Sequence, residues 1–162
     1  MKVTALEEYG FRCMLLLARR GSGETLTLPE FQSLEGLSIP YAAKLLTILK
    51  GAGLVRAARG RNGGYALVRS AEKILLKDIL DALGEPAFSS SHCGKYSGQL
   101  DTCAHQADCQ VRVIWKSFDT FIGQVLGSVT LADVAAGKLD IFDTFQMTTT
   151  SGGNDFSSGN KR

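Results

Sequence analysis

The stretch from Gly36 to Arg69, GLSIPYAAKLLTILKGAGLVRAARGRNGGYALVR, restricts the fold more than any other part of the chain. Its first half reads as a helix. Ser38 can cap it, Pro40 is tolerated in its first turn, and Ala42, Leu45, Leu46 and Leu49 make a buried stripe. Gly51 and Gly53 close that helix, and Leu54–Arg59 and Tyr65–Arg69 follow as two strands. The loop joining them, Gly60 to Gly64, contains Asn62-Gly63, a strong hairpin signal because both residues accept positive φ. The whole stretch after Gly36 holds six basic residues, Lys44, Lys50, Arg56, Arg59, Arg61 and Arg69, and no acidic one.

Two helices are expected upstream. Thr4 and Glu7 form a capping-box pattern, and Leu6, Tyr9, Gly10, Cys13, Met14 and Leu17 then recur at helical spacing. A second such pattern, Thr27 with Glu30, starts a short helix that Gly36 stops. Three helices followed by a hairpin, in that order, make a winged helix-turn-helix. The fold class expected is therefore mainly α with a small β-hairpin.

Downstream the pattern changes. Lys77–Leu83 reads as a fourth helix, and the chain is irregular from Glu85 to Ala107. From Asp108 to about Leu126 runs the longest helix, with Val111, Ile114, Trp115, Phe118, Phe121, Ile122 and Val125 near a 3.5-residue period. A stripe that wide most simply packs on a second copy of the chain. Thr130 with Asp133 caps a last short helix, and the Ser/Gly/Thr/Asn-rich stretch from Gln146 reads as disordered. The expected organisation is a DNA-binding winged helix over 1–84, a cysteine-rich loop over 85–108, a dimerisation helix and short helix over 109–142, and a disordered tail over 143–162.

Net charge is +2 over 162 residues, but residues 1–69 carry ten Lys/Arg against five Asp/Glu, and residues 70–162 carry eight against eleven. Positive charge gathered on one helix and one hairpin suits a nucleic-acid backbone. No apolar run approaches the roughly 20 residues of a membrane span. The N-terminal MKVTALEEYG carries two acids where a signal peptide has a basic and an apolar region, so the compartment expected is the cytoplasm. Four cysteines there point to metal ligation, redox sensing or core packing before a disulfide framework.

A helix fits the major groove and meets base edges or phosphates with its outward residues. On the third helix these are Ser38, Tyr41, Lys44 and Thr47, with Lys44 the best phosphate ligand and Tyr41 open to a core role as well. On the hairpin, Arg59, Arg61 and Asn62 can enter a minor groove, and Gly63 and Gly64 let the backbone turn and approach closely. No aromatic platform suited to single-stranded RNA is present. Double-stranded DNA is the expected partner, and a dimer would read a palindrome.

Cys93, Cys103 and Cys109 lie in a loop rich in Gly, Ser and His. Three soft ligands suit an iron–sulfur cluster or zinc. The spacings, nine residues and then five, lack the close pair usual in structural zinc sites, which favours a cluster. Free or redox-active thiols are the other reading. Cys13, on the apolar face of the first helix, reads as core. An enzyme with a cysteine nucleophile and His92 or His105 as base would need a formed pocket and an orienting third group, and no segment resembles one. Neither catalysis nor a small-molecule substrate is expected.

The N-terminal MKVT and Tyr9-Gly10, the helix LSIPYAAKLLTILKGAGLV, the wing RGRNGGYAL and the cysteine loop before the long helix together resemble the Rrf2 family of bacterial regulators, in type its IscR and NsrR branches. The resemblance covers residues 1 to about 142. It implies a homodimer crossed through the long helix, winged helices on palindromic promoters, and an iron–sulfur cluster, 2Fe–2S or 4Fe–4S, at Cys93, Cys103 and Cys109 that alters DNA affinity. In the NsrR branch, and in a related redox-sensing branch, an acidic residue of the first helix is supplied by the other subunit. The matching position is Glu8, which is therefore the fourth ligand expected, in trans, with His105 the alternative. The histidine that the IscR pattern places three residues after the last cysteine is Arg112 here, and the glutamate that it places two residues after the tyrosine is Ala43. A regulator of the same fold that uses its cysteines as a thiol switch is the alternative function.

Overall fold

The computed structural model describes residues 3–60, 63–84, 97, 99–105 and 107–138. Cys93, His92, Arg61, Asn62 and the tail expected over 143–162 lie outside the described residues. Three helices open the chain: α1 (Ala5–Arg20), α2 (Leu28–Glu35) and α3 (Ile39–Gly51). A hairpin follows, β1 (Val55–Ala58) and β2 (Gly64–Leu67), then a 3₁₀ turn at Ala71–Lys73. The described part ends with α4 (Leu76–Leu83), α5 (Gln110–Gly127) and α6 (Leu131–Ala135).

Local chemistry sets the helix starts. Glu7 Oε2 accepts the Thr4 N–H at 2.7 Å while the Glu7 N–H donates to Thr4 Oγ1 at 3.2 Å, the reciprocal cap expected. Thr27 and Glu30 begin α2 in the same way, and Glu30 also accepts from Arg20 Nη2 at 3.1 Å, tying the end of α1 to the start of α2. The Thr27 donors hold the Glu30 carboxyl below its ordinary pKa, with Arg20 adding to the effect. Ser38 Oγ accepts from the Tyr41 N–H and caps α3.

The core lies where α1, α3, α4 and the hairpin meet. Cys13, Met14, Leu17, Phe31, Leu45, Leu46, Leu49, Val55 and Ile79 are buried there. Gly10 brings α1 hard against α4: a Cβ at this position would stand 2.3 Å from Leu83 Cδ1. The strands pair antiparallel, Val55 opposite Leu67 and Ala58 opposite Gly64, and are shorter than the sequence suggests. Leu26, between α1 and α2, adds a third short rung by exchanging two backbone hydrogen bonds with Tyr65, at 2.9 and 2.8 Å.

The segment after α5 returns to this core. The Leu76 N–H donates to Val129 O at 3.0 Å and the Leu131 N–H to Ile74 O at 2.8 Å, and Val129 and Leu131 are buried with the winged-helix residues. α6 packs on α1. The residues after the long helix are thus part of the N-terminal core as well as of the segment 109–142.

Candidate nucleic-acid interface and cysteine loop

The burial pattern of α3 separates its two faces. Ala42, Leu45, Leu46 and Leu49 face the core, and Ser38, Lys44, Thr47 and Lys50 are exposed. Tyr41 is half-buried, its ring meeting that of Tyr9 edge-on at 5.9 Å, so it braces α3 against α1. The Thr47 hydroxyl donates to Ala43 O at 2.8 Å.

On the wing, Arg56 and Arg59 are exposed. The Gly63 N–H donates to Gly60 O at 2.8 Å and closes the turn. Gly64, at φ 151°, would place a Cβ 2.6 Å from Leu26 O, so its lack of a side chain serves the rung to Leu26. Arg69 is committed elsewhere. It donates to Lys73 O at 2.8 Å and pairs with Asp78 at 2.7 Å, pinning the end of the wing to α4. Along α3 and the wing, the exposed basic side chains left to face a polyanion are, among the described residues, Lys44, Lys50, Arg56 and Arg59.

Cys103 and Cys109 are half-buried and unbonded to one another. Cys109 sits at the N-cap of α5, its Sγ accepting the Arg112 N–H at 3.3 Å. The Arg112 guanidinium donates to His105 O at 3.4 Å, and His105 itself is exposed. Cys13 is sealed in the core, where burial, helped by the charge of Glu35, pushes its thiol up to about 12. It is a packing residue.

Glu8 stands on the exposed side of α1, held by Arg12 through Nε at 2.8 Å and Nη2 at 2.6 Å. The same guanidinium lies 5.4 Å from the centre of the Tyr9 ring and 3.8 Å from Glu35 at the end of α2. Sequence reading missed this hub, although Glu8 and Arg12 stand at the i, i+4 spacing of a helix-surface ion pair. Among the described residues no three His, Cys, Asp or Glu side chains of this one chain converge as a metal site. The donor chemistry nevertheless suits iron and sulfide: two accessible thiols in one loop, with a carboxylate presented on another surface.

A family model described as an iron-dependent transcriptional regulator, Rrf2, matches residues 3–137. The protein rrf2 of Nitratidesulfovibrio vulgaris is 31% identical over 134 residues, covering 83% of this chain and 87% of that one. The transcriptional regulator IscR of Xenorhabdus nematophila is 27% identical over 145 residues, covering 88% and 85%. Among solved structures, T. potens IscR superposes with a TM-score of 0.66 at 29% identity, covering 86% of this chain and 89% of that one. CymR, the global cysteine regulator of B. subtilis, superposes with a TM-score of 0.62 at 26% identity, covering 86% and 99%. With a winged helix, a basic reading face and a family match along most of its length, the chain belongs to the Rrf2 family of transcriptional regulators.

Proposed function

We propose that this regulator works as a homodimer on palindromic promoter DNA, with its affinity set by an iron–sulfur cluster. Cys93, Cys103 and Cys109 of one subunit and Glu8 of the other would hold the cluster, which when bound offers a site that oxidants or nitric oxide can attack. His105 is the alternative fourth ligand. The observation that carries the reading is the position of Glu8, exposed on α1 and joined through Arg12 and Tyr9 to Tyr41 of α3.

The outer face of α5 supports the dimer. Val111, Val113, Ile114, Trp115, Phe118 and Phe121 on α5 are between 44% and 58% exposed. An apolar helix face of that extent favours a second copy. Two winged helices held this way would set two α3 helices about one DNA turn apart. Ser38 and Lys44 would meet the backbone, Tyr41 would position α3, and Arg59, Arg61 and Asn62, on the turn made by Gly63 and Gly64, would follow the minor groove.

The coupling runs through Arg12. A Glu8 carboxylate drawn to the partner's loop leaves Arg12, which can then close its 3.8 Å gap to Glu35 and shift α2 relative to α1. Tyr9, under the same guanidinium, carries the movement to Tyr41 and α3. A small shift between two reading helices is enough to spoil a match to paired half-sites.

Likeness to CymR favours a second reading, a cluster-free regulator of the same fold that uses its cysteines as a thiol switch. Iron and sulfide assays on protein purified without oxygen, with a DNA-shift titration before and after metal removal, distinguish the two. Stoichiometric iron and sulfide with altered DNA affinity on removal supports the cluster. Metal-free protein whose DNA binding responds to oxidant supports the thiol switch.

A further inference from the structure

The outward face of α3 is poor in hydrogen-bonding groups. Down its middle run Pro40, Ala43 and Thr47, spaced three and four apart and so one above the other on the helix. Pro40 and Ala43 offer only C–H surface. Thr47 has committed its hydroxyl proton to Ala43 O, which leaves a lone pair and a methyl. Ile39, 39% exposed, widens the row at the helix start. Lys44 and Lys50 stand beside it, and no acid occurs between Gly36 and Arg69. The face thus has a basic rim for phosphates and an apolar centre for whatever lies between them.

In the major groove the one apolar group on a base edge is the thymine C5 methyl. We propose that α3 selects its half-site by packing Pro40, Ala43 and Thr47 against thymine methyls, so that the ligand is a duplex with thymines at the positions facing α3. This rests on the placing of α3 in the major groove proposed above. Charge complementarity fixes the occupant: the apolar row is bordered by cations, which suits a polyanion and disfavours an apolar protein partner. A row built to accept hydrogen bonds from cytosine or adenine would present Glu, Asp, Asn or Gln, and none stands on α3.

The test uses the full-length protein and duplexes selected by it from a random-sequence pool. Each selected duplex is compared with one in which uracil replaces the thymines of one half-site, which deletes the methyl and keeps base pairing. About fourfold weaker binding is expected for each methyl in contact. The variant Pro40→Ala/Thr47→Ser, which removes protein methylenes and a methyl while keeping the hydroxyl, should shrink the thymine-to-uracil ratio toward one. Lys44→Ala keeps the two readings apart. If it weakens binding to both duplexes but thymine and uracil bind equally, or the double variant keeps the full ratio, methyl recognition is overturned and α3 still lies on DNA. If Lys44→Ala binds as the parent does, or the pool yields no preferred sequence, the placing of α3 in the groove falls first.

Discussion

Arg12 grips the Glu8 carboxylate with two nitrogens, at 2.6 and 2.8 Å, although both side chains are about half-exposed. The guanidinium is a permanent cation, its pKa raised further by the hydrogen bond and charge of Glu8, and it competes for the carboxylate. In the cluster-bound dimer proposed here, Glu8 must choose between Arg12 and the partner's loop. Arg12→Ala removes the competitor. It should slow cluster loss to a chelator or nitric oxide, and should weaken the dependence of DNA affinity on cluster state. Stopped-flow absorbance and DNA-shift titrations read the two effects. A loss rate equal to the parent's would remove Arg12 from the coupling.

Gly10 holds α1 against α4. An alanine there meets Leu83 Cδ1 at 2.3 Å and Cδ2 at 2.6 Å, and Leu83 is itself buried. The leucine can turn away only by displacing core neighbours. Gly10→Ala should cost about 1–3 kcal/mol in urea unfolding, as overpacked core positions do.

Gly64→Ala should cost more, about 2–4 kcal/mol, since the methyl meets backbone at Leu26 O and the φ of 151° disfavours any side chain. The Leu26–Tyr65 rung would open, and DNA affinity would fall with the wing's position. Hydrogen exchange at the Leu26 and Tyr65 amides reports the rung directly.

Cys13 gives a pH prediction. Its folded thiol is pushed up to about 12 from a reference of 9.0, so the unfolded chain loses this proton first as pH rises. Between those two values the unfolded state binds fewer protons, and stability falls with rising pH. The Cys13 contribution is complete below pH 9 and lost on approach to pH 12. Cys13→Ala should flatten that alkaline slope while lowering stability overall through the lost side-chain packing. In the native apo-protein at pH 8, a thiol reagent should label Cys103 and Cys109 rapidly and leave Cys13 unlabelled until unfolding.

Much of this architecture is written in short-range chemistry. Thr4 with Glu7, Thr27 with Glu30, and Thr130 with Asp133 each form the reciprocal cap that their spacing announces, and the α3 stripe is buried as its period requires. What escaped the sequence is long-range. Leu26 is one residue pairing across almost forty positions of chain, with no periodic signal of its own. Val129 and Leu131 reach the N-terminal core only because α5 carries them back. Arg69 looks like one more basic residue of the reading face until Asp78 is placed beside it. The exposed basic residues of α3 and the wing were legible as charge and pattern, whereas the Glu8–Arg12–Glu35 hub required knowing which side of α1 meets the end of α2.

A ligand set shared between two subunits can be tested with mixed dimers. One chain carries Glu8→Ala with its cysteines intact; the other carries Cys103→Ser/Cys109→Ser with Glu8 intact. Co-expressed under differently tagged forms and isolated without oxygen, the mixed dimer contains one complete site if Glu8 acts in trans and none if all ligands come from one chain. Iron, sulfide and visible absorption equal to about one cluster per mixed dimer are expected, with little in either variant homodimer. A colourless mixed dimer, or a Glu8→Ala homodimer as brown as the parent protein, would contradict the shared ligand set.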